Sequence, residues 1–452
     1  VDKTAAITIV GAGPTGALLA ILLQRRGFTQ VDLYESRKDP RQAVAQSGRT
    51  INLALADRGI HALRVAGVFD DLHAALLPMR GRLIHHQNKS TVFQPYGQHA
   101  NEVNYSVSRL RLNQELLQIA ARRPGIRMHF EHRLEALDLN NNIAQIRDLE
   151  SDRLLDVPMN PLLAADGAGS PVRRQMNQAR LIEATEADLE HGYKELSIPA
   201  LRGGFVMTAD SLHIWPRGNH MLIALPNEDG SFTATLFLPK RGPVSFESLT
   251  EDSQIDRFLT QTFPDARELM PECVAEFKAN PVGFLGTVSA FPWHHAGASV
   301  LIGDAAHAMV PFHGQGMNCC FEDCIEFDAC VGRNETWQTV FSEFGAARKT
   351  NTDAISAMAL ENYLEMRERV AQPKFQMQQA LSLELERRFP SRFIPRYSMV
   401  MFHHEIPYRT ALQRGEVQAR ILDALTQDAA SLSDVDFAQA EREIDARLAP
   451  LY

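Results

Sequence analysis

Residues 7–27 read ITIVGAGPTGALLAILLQRRG. An apolar, β-branched run enters a cluster of glycines and leaves as an apolar helix-forming run, the pattern of buried strand, tight turn and helix. Gly11 permits the turn, Gly13 lets a diphosphate reach the backbone, and Gly16 lets the helix lie close on the strand. The helix N-terminus adds amide donors and partial positive charge, which suit a diphosphate. A second strand, QVDLYESR at 30–37, ends in Glu35, about 20 residues past the last glycine. Its carboxylate can accept both hydroxyls of an adenosine ribose and would repel a 2′-phosphate. The opening therefore predicts a Rossmann-like domain for NAD or FAD, with NADP excluded as its resident.

A second stretch, GDAAHAMVPFHGQGMN at 303–318, bears on the choice between the two. It follows the buried-strand pattern SVLI and is rich in residues without bulk. Asp304 can accept a ribityl hydroxyl, and Gly314, Gly316 and the following helix N-terminus can lie against a flavin edge, where amide dipoles stabilise negative charge. NAD is too short to need such a second contact, so the pair of stretches points to FAD.

The 452 residues exceed what one core usually serves, so two domains or one large α/β unit with an insertion is expected. A formal net charge of −9 leaves no footprint for nucleic acid or an anionic membrane. No run approaches the apolar length of a membrane span, and the N-terminus enters directly into a strand, so a soluble, cytoplasmic protein is expected. Five cysteines without a CxxC motif do not form a disulfide framework. Four lie between Cys319 and Cys330 at partly helical spacing and read as buried thiols. No ligand spacing among the histidine pairs supports a metal site.

Between about 190 and 290 the texture changes to short alternating segments such as HGYKELSIP, GGFVMTAD and SFTATLFLP, punctuated by Pro, Gly and Asn, as in an antiparallel sheet. Beyond 318 the pattern is helical. The expected plan has three parts: a discontinuous FAD-binding domain over 1–75, 100–185 and 295–335; a β-rich substrate domain over 76–99 and 186–294; and a helical domain over 336–452.

Three motifs in order, GAGPTG with Glu35, the DG of AADGAGSPVR (Asp166, Gly167) and the GD of IGDAAHAMVPFHGQGMN (Gly303, Asp304), resemble the FAD-dependent aromatic hydroxylases. They span most of the chain. A narrower set, SGRTINLALADRG, MRGRLIHH, YSVSRLRLNQELL, FHGQGMNCCFED, ENYLEMR and FIPRYSMVMF, is similar to the kynurenine 3-monooxygenase branch of that family, in its soluble bacterial form. The resemblance implies tightly bound FAD, NADPH as a transient reductant and L-kynurenine and O2 as substrates, in a monomer or homodimer. It implies hydroxylation through a flavin C4a-hydroperoxide. A related hydroxylase of another aromatic acid, and a flavin reductase without oxygen activation, remain as alternatives.

Carried over by match, the FAD residues are Thr15, Tyr34, Glu35, Ser36, Arg37, Ala54, Arg109, Leu134, Asp304, Met317 and Asn318, beside Gly11, Gly13 and Gly16. The substrate residues are Arg82, Tyr96, Asn362 and Tyr397, with His313 as the catalytic candidate on the flavin loop. Arg82 offers a bidentate fork to an amino-acid carboxylate. Glu365 and Arg367 read as a helix salt bridge and are left unassigned.

Overall fold

The computed structural model describes residues 1–42, 52–370, 372–429 and 431–451, so the start of SGRTINLALADRG lies outside the described residues. A six-stranded, mostly parallel sheet organises the N-terminal half of the chain together with residues 294–301. Across it run His294–His295, Ser299–Leu301, Leu162–Ala164, Ile7–Val10, Val31–Glu35 and Ile126–Phe130. All neighbours are parallel except the His294–His295 hairpin. Val10, Ala164 and Leu301 are in register, so three strand ends lie side by side. Each leads into a turn with a glycine at positive φ: Gly11 at 101°, Gly167 at 82° and Gly303 at 66°. The three sequence motifs thus meet at one edge, where open α/β sheets bind their ligands.

The strand, turn and helix of the opening form as the sequence predicts. Helix Pro14–Arg25 buries every residue from Gly16 to Leu23. A Cβ on Gly16 would lie 1.9 Å from the Gly11 carbonyl oxygen, and one on Gly11 would lie 2.4 Å from that of Ala165. Absence of side chains at these two positions is what brings helix and strand together.

The second large sheet also has six strands, in the order His191–Ile198, Phe232–Pro239, His220–Pro226, Ser211–Arg217, Gly81–His85 and Thr91–Pro95. Two features differ from the sequence expectation. Ser211–Arg217 and Gly81–His85 pair parallel, and this seam joins the two separate pieces of the domain. Residues 252–279 are not sheet but three helices, Asp252–Thr262, Pro264–Leu269 and Cys273–Ala279. They pack on one face of the sheet, through Phe258, Phe263 and Phe277. Tyr363, Met366 and Phe312 pack with Ile214, Met221 and Phe237 in a separate cluster. With apolar partners on both sides, all eight residues of Phe232–Pro239 are buried. GGFVMTAD forms turns and bends rather than a strand.

The remainder is helical. Helix Gly316–Arg333 buries its four cysteines, all free thiols, as the spacing predicts. Trp337–Leu364 follows and runs into a π-helical turn, Glu365–Arg369. Pro373–Arg388, Arg396–Phe402, Tyr408–Leu425 and Phe437–Arg447 complete the chain. Among the described residues no helix is long and apolar enough to cross a membrane.

Candidate active site

The strand ends open into a cleft of about 310 Å³ lined by Ala12, Gly13, Pro14, Glu35, Arg37 and Arg109, among others. Glu35 sits at the end of its strand, where its carboxylate accepts from the Ala12 amide at 3.1 Å and the Arg37 amide at 3.0 Å. The Ser36 hydroxyl donates to it at 3.3 Å and the Arg37 guanidinium at 2.8 Å. Burial opposes ionisation of Glu35, but Arg37 and the two amides hold its pKa below the ordinary value. Among the described residues, a Cβ on Gly13 would meet no atom within 4 Å, and the same holds for Gly167 and Gly169. These glycines are bare toward open space, not toward packing.

The late stretch supplies the other end. A Cβ on Gly303 would lie 3.2 Å from the Thr15 methyl, so the opening turn and the GD turn are neighbours. Asp304 begins the helical turn Asp304–His307 and accepts from the Cys320 thiol at 3.5 Å. Asn318 clamps the flavin loop to the strand Asn52–Leu55. Its amide donates to the carbonyls of Ala54 and Gly314, each at 2.8 Å, and its oxygen accepts from the Ala56 amide at 2.9 Å. Asp166, at the middle strand end, is pushed up to about 6 by burial and keeps one carboxylate oxygen without a partner among the described residues. Bare glycines at the diphosphate turn, a ribose-ready Glu35 and an orphaned buried Asp166 fit FAD. Tyr34, Leu134 and Met317 do not line the cleft: Tyr34 stacks on His129 at 4.6 Å, while Leu134 and Met317 pack with the main core.

A second pocket, of about 240 Å³, lies between the strands Gly81–His85 and Thr91–Pro95 and the helices Pro373–Arg388 and Arg396–Phe402. Arg82 is buried in it, 4.8 Å from the Tyr397 ring and 5.9 Å from the Tyr96 ring. The two rings stack at 5.5 Å. Burial works against the charge on Arg82, but both tyrosine hydroxyls and Glu365 raise its pKa above the ordinary guanidinium value. Its Nε has no hydrogen-bond partner among the described residues. Glu365 faces it at 3.9 Å, with a carboxyl that burial raises despite Arg82. Burial also holds both tyrosine hydroxyls in the protonated form.

His313 connects the two sites. It lies on the flavin loop, buried, with its ring 5.6 Å from that of Tyr397 and nearly parallel to it. Its Nδ1 has no partner among the described residues, and burial lowers its pKa to about 3, which favours the neutral imidazole. Asn362 is not among the pocket lining. It donates to the Phe312 carbonyl at 2.6 Å and to the Met366 sulfur at 3.4 Å, so its amide group is engaged by the flavin loop.

Sequence reasoning missed Glu365. Its supposed partner Arg367 instead pairs with Glu368 and lies 5.0 Å over the Tyr363 ring. Residues two apart on a helix do not face each other, and that spacing was the available signal. Asn104, which donates to the Tyr397 hydroxyl at 3.4 Å, carried no signal.

A family model described as an FAD binding domain matches residues 3–328. The kynurenine 3-monooxygenase of Stenotrophomonas maltophilia K279a is 47% identical over 443 residues, covering 98% of this chain and 97% of that protein. That of Myxococcus xanthus DK1622 is 43% identical over 445 residues, covering 98% and 96%. Among solved structures, tetrameric 2-methyl-3-hydroxypyridine-5-carboxylic acid oxygenase superposes with a TM-score of 0.66 at 18% identity, covering 85% of this chain and 98% of that one. Tetracycline destructase Tet(55) superposes at 0.62 with 16% identity, covering 85% and 97%. The structural likenesses speak to the fold and the sequence likenesses to the lineage: the chain belongs to the kynurenine 3-monooxygenase family of FAD-dependent monooxygenases.

Proposed function

We propose that this chain hydroxylates L-kynurenine to 3-hydroxykynurenine, with NADPH as reductant and O2 as oxygen donor. The observation that carries the reading is the buried, charged Arg82, set against two tyrosines and facing Glu365 beside the flavin loop. That arrangement complements an amino-acid zwitterion attached to an aromatic ring. The guanidinium pairs with the substrate carboxylate, and the Tyr96 and Tyr397 hydroxyls add neutral hydrogen bonds. Glu365 stands where it can balance the ammonium.

FAD, when bound, supplies hydride acceptance from NADPH and activation of O2. The protein's share is positioning and exclusion of water. Arg82 and its tyrosines fix the ring's distance from the loop. Phe312, stacked on Tyr363 at 4.1 Å and 5.0 Å from Phe237, helps keep that side apolar. Neutral His313 offers its unpartnered Nδ1 for a hydrogen bond without adding charge beside an aniline ring. Five free, buried thiols suit a reducing cytoplasm.

Aerobic turnover with L-kynurenine and NADPH tests the reading. Oxygen uptake should depend on kynurenine, and the product should gain one oxygen atom by mass. NADPH oxidation without kynurenine-dependent oxygen incorporation would reject it in favour of a reductase.

A further inference from the structure

Helix Arg396–Phe402 has only seven residues, yet it carries Tyr397 into the substrate pocket. So short a helix has little intrinsic stability, and something must hold its end. Arg58 does so. Its side chain is fully buried at the start of helix Asp57–Ala66, with its guanidinium 3.9 Å from the Tyr408 ring centroid. It donates to the carbonyls of Met399 at 3.5 Å, Val400 at 3.2 Å, His403 at 3.3 Å and His404 at 3.3 Å, and to that of Ile406. A single cation thus collects the carbonyls at the negative end of the helix and the turn after it.

Arg58 is also the end of a buried chain of alternating charge. Its Nη1 meets Glu322 at 2.8 Å, and the other oxygen of Glu322 meets Arg348 at 2.6 Å. Arg348 Nε meets Asp323 at 2.6 Å. The second oxygen of Asp323 accepts from the Gly303 amide at 3.1 Å and pairs with His307 at 2.5 Å. Arg58, Arg348 and Asp323 are buried and Glu322 is only about a sixth exposed, so these ions pay much of a desolvation cost that apolar packing would avoid. Stability alone is a poor reason to build such a chain. What it does geometrically is connect the turn that receives FAD with the helix that presents Tyr397.

We propose that Arg58 is a positioning residue of the substrate site and that Glu322, Arg348 and Asp323 couple it to the Gly303 turn, so that substrate and FAD reinforce each other's binding. The inference rests on the reading of Arg82 and Tyr397 as substrate contacts.

The test compares FAD-loaded wild type with Arg58→Met and Arg58→Lys. L-Kynurenine is titrated by perturbation of flavin absorbance, and amide exchange is followed over residues 396–402. Arg58→Met should raise the kynurenine Kd about tenfold, the scale of coupling between network partners, and speed exchange in that helix. Arg58→Lys should recover part of both. Paired with Tyr397→Phe, the effect on Kd should be less than additive. Kynurenine should slow FAD release from wild type, by the reciprocity of linked binding, and lose that influence in Arg58→Met. A lowered Tm with unchanged Kd, unchanged exchange and unchanged FAD release would make Arg58 merely structural and overturn the proposal. Should Arg58→Met fail to fold, Glu322→Gln must show the same directions, and an unchanged Kd there overturns it equally. If wild type binds no kynurenine, the substrate reading fails by itself, while exchange over 396–402 still decides whether Arg58 holds the helix.

Discussion

Arg82 could be singled out in the sequence because MRGRLIHH matched in order with the other motifs, and the structure places it beside the stacked rings of Tyr96 and Tyr397, which were named with it as substrate contacts. Replacing it by methionine removes the charge and leaves most of the stem. We expect Arg82→Met to raise the kynurenine KM about 10- to 100-fold, the loss of a charged hydrogen-bond pair, with FAD content unchanged by absorbance. Glu365 was harder to read: it lies in a π-helical turn that the residue types do not announce, and only its two-residue spacing from Arg367 spoke against a helix salt bridge. His313 yields a pH prediction. Its folded pKa of about 3 is below the ordinary value of 6.5, so below neutrality the unfolded chain binds the proton and the folded one does not. His213, lowered to about 4 by burial, acts in the same sense. Stability from these groups is complete above about pH 6.5 and is lost as pH falls below it. Thermal denaturation should show wild-type Tm falling from about pH 7 to about pH 5, and His313→Asn should flatten part of that slope.

At the scale of elements, the strand, turn and helix at the start could be read because each glycine has one physical job. The jobs separate by mutation. Gly16→Ala forces a Cβ to within 1.9 Å of the Gly11 carbonyl oxygen and should destabilise the apoprotein by about 1–3 kcal/mol in denaturant melts. Gly13→Ala meets no protein atom and should leave the apoprotein's stability unchanged while weakening FAD in a fluorescence titration. Equal damage to both would mean that Gly13 serves packing instead. The helices over 252–279 escaped the sequence reading because they are short and interrupted by prolines, the same punctuation that marks sheet turns. Asn362 illustrates another limit: its motif was recognised, but only the packing of Trp337–Leu364 shows its amide reaching the flavin loop.

For the whole molecule, the legible part was that distant motifs belong together, and the adjacency of three strand ends brings them to one edge. FAD spanning those ends should stabilise the fold, by about 2.7 kcal/mol at a hundredfold excess over its Kd, and a rise in Tm on adding FAD to apoprotein would show it. The order of strands has a further consequence for biosynthesis. Ile7–Val10 and Leu162–Ala164 emerge early, yet the neighbour of Leu162–Ala164 on its other side, Ser299–Leu301, is made much later. At about 5–20 residues per second, the ribosome leaves an apolar strand edge unpaired for seconds before its partner arrives. That edge stays open while residues 165–298 are made, and the three strand ends cannot stand side by side until translation has passed the GD motif.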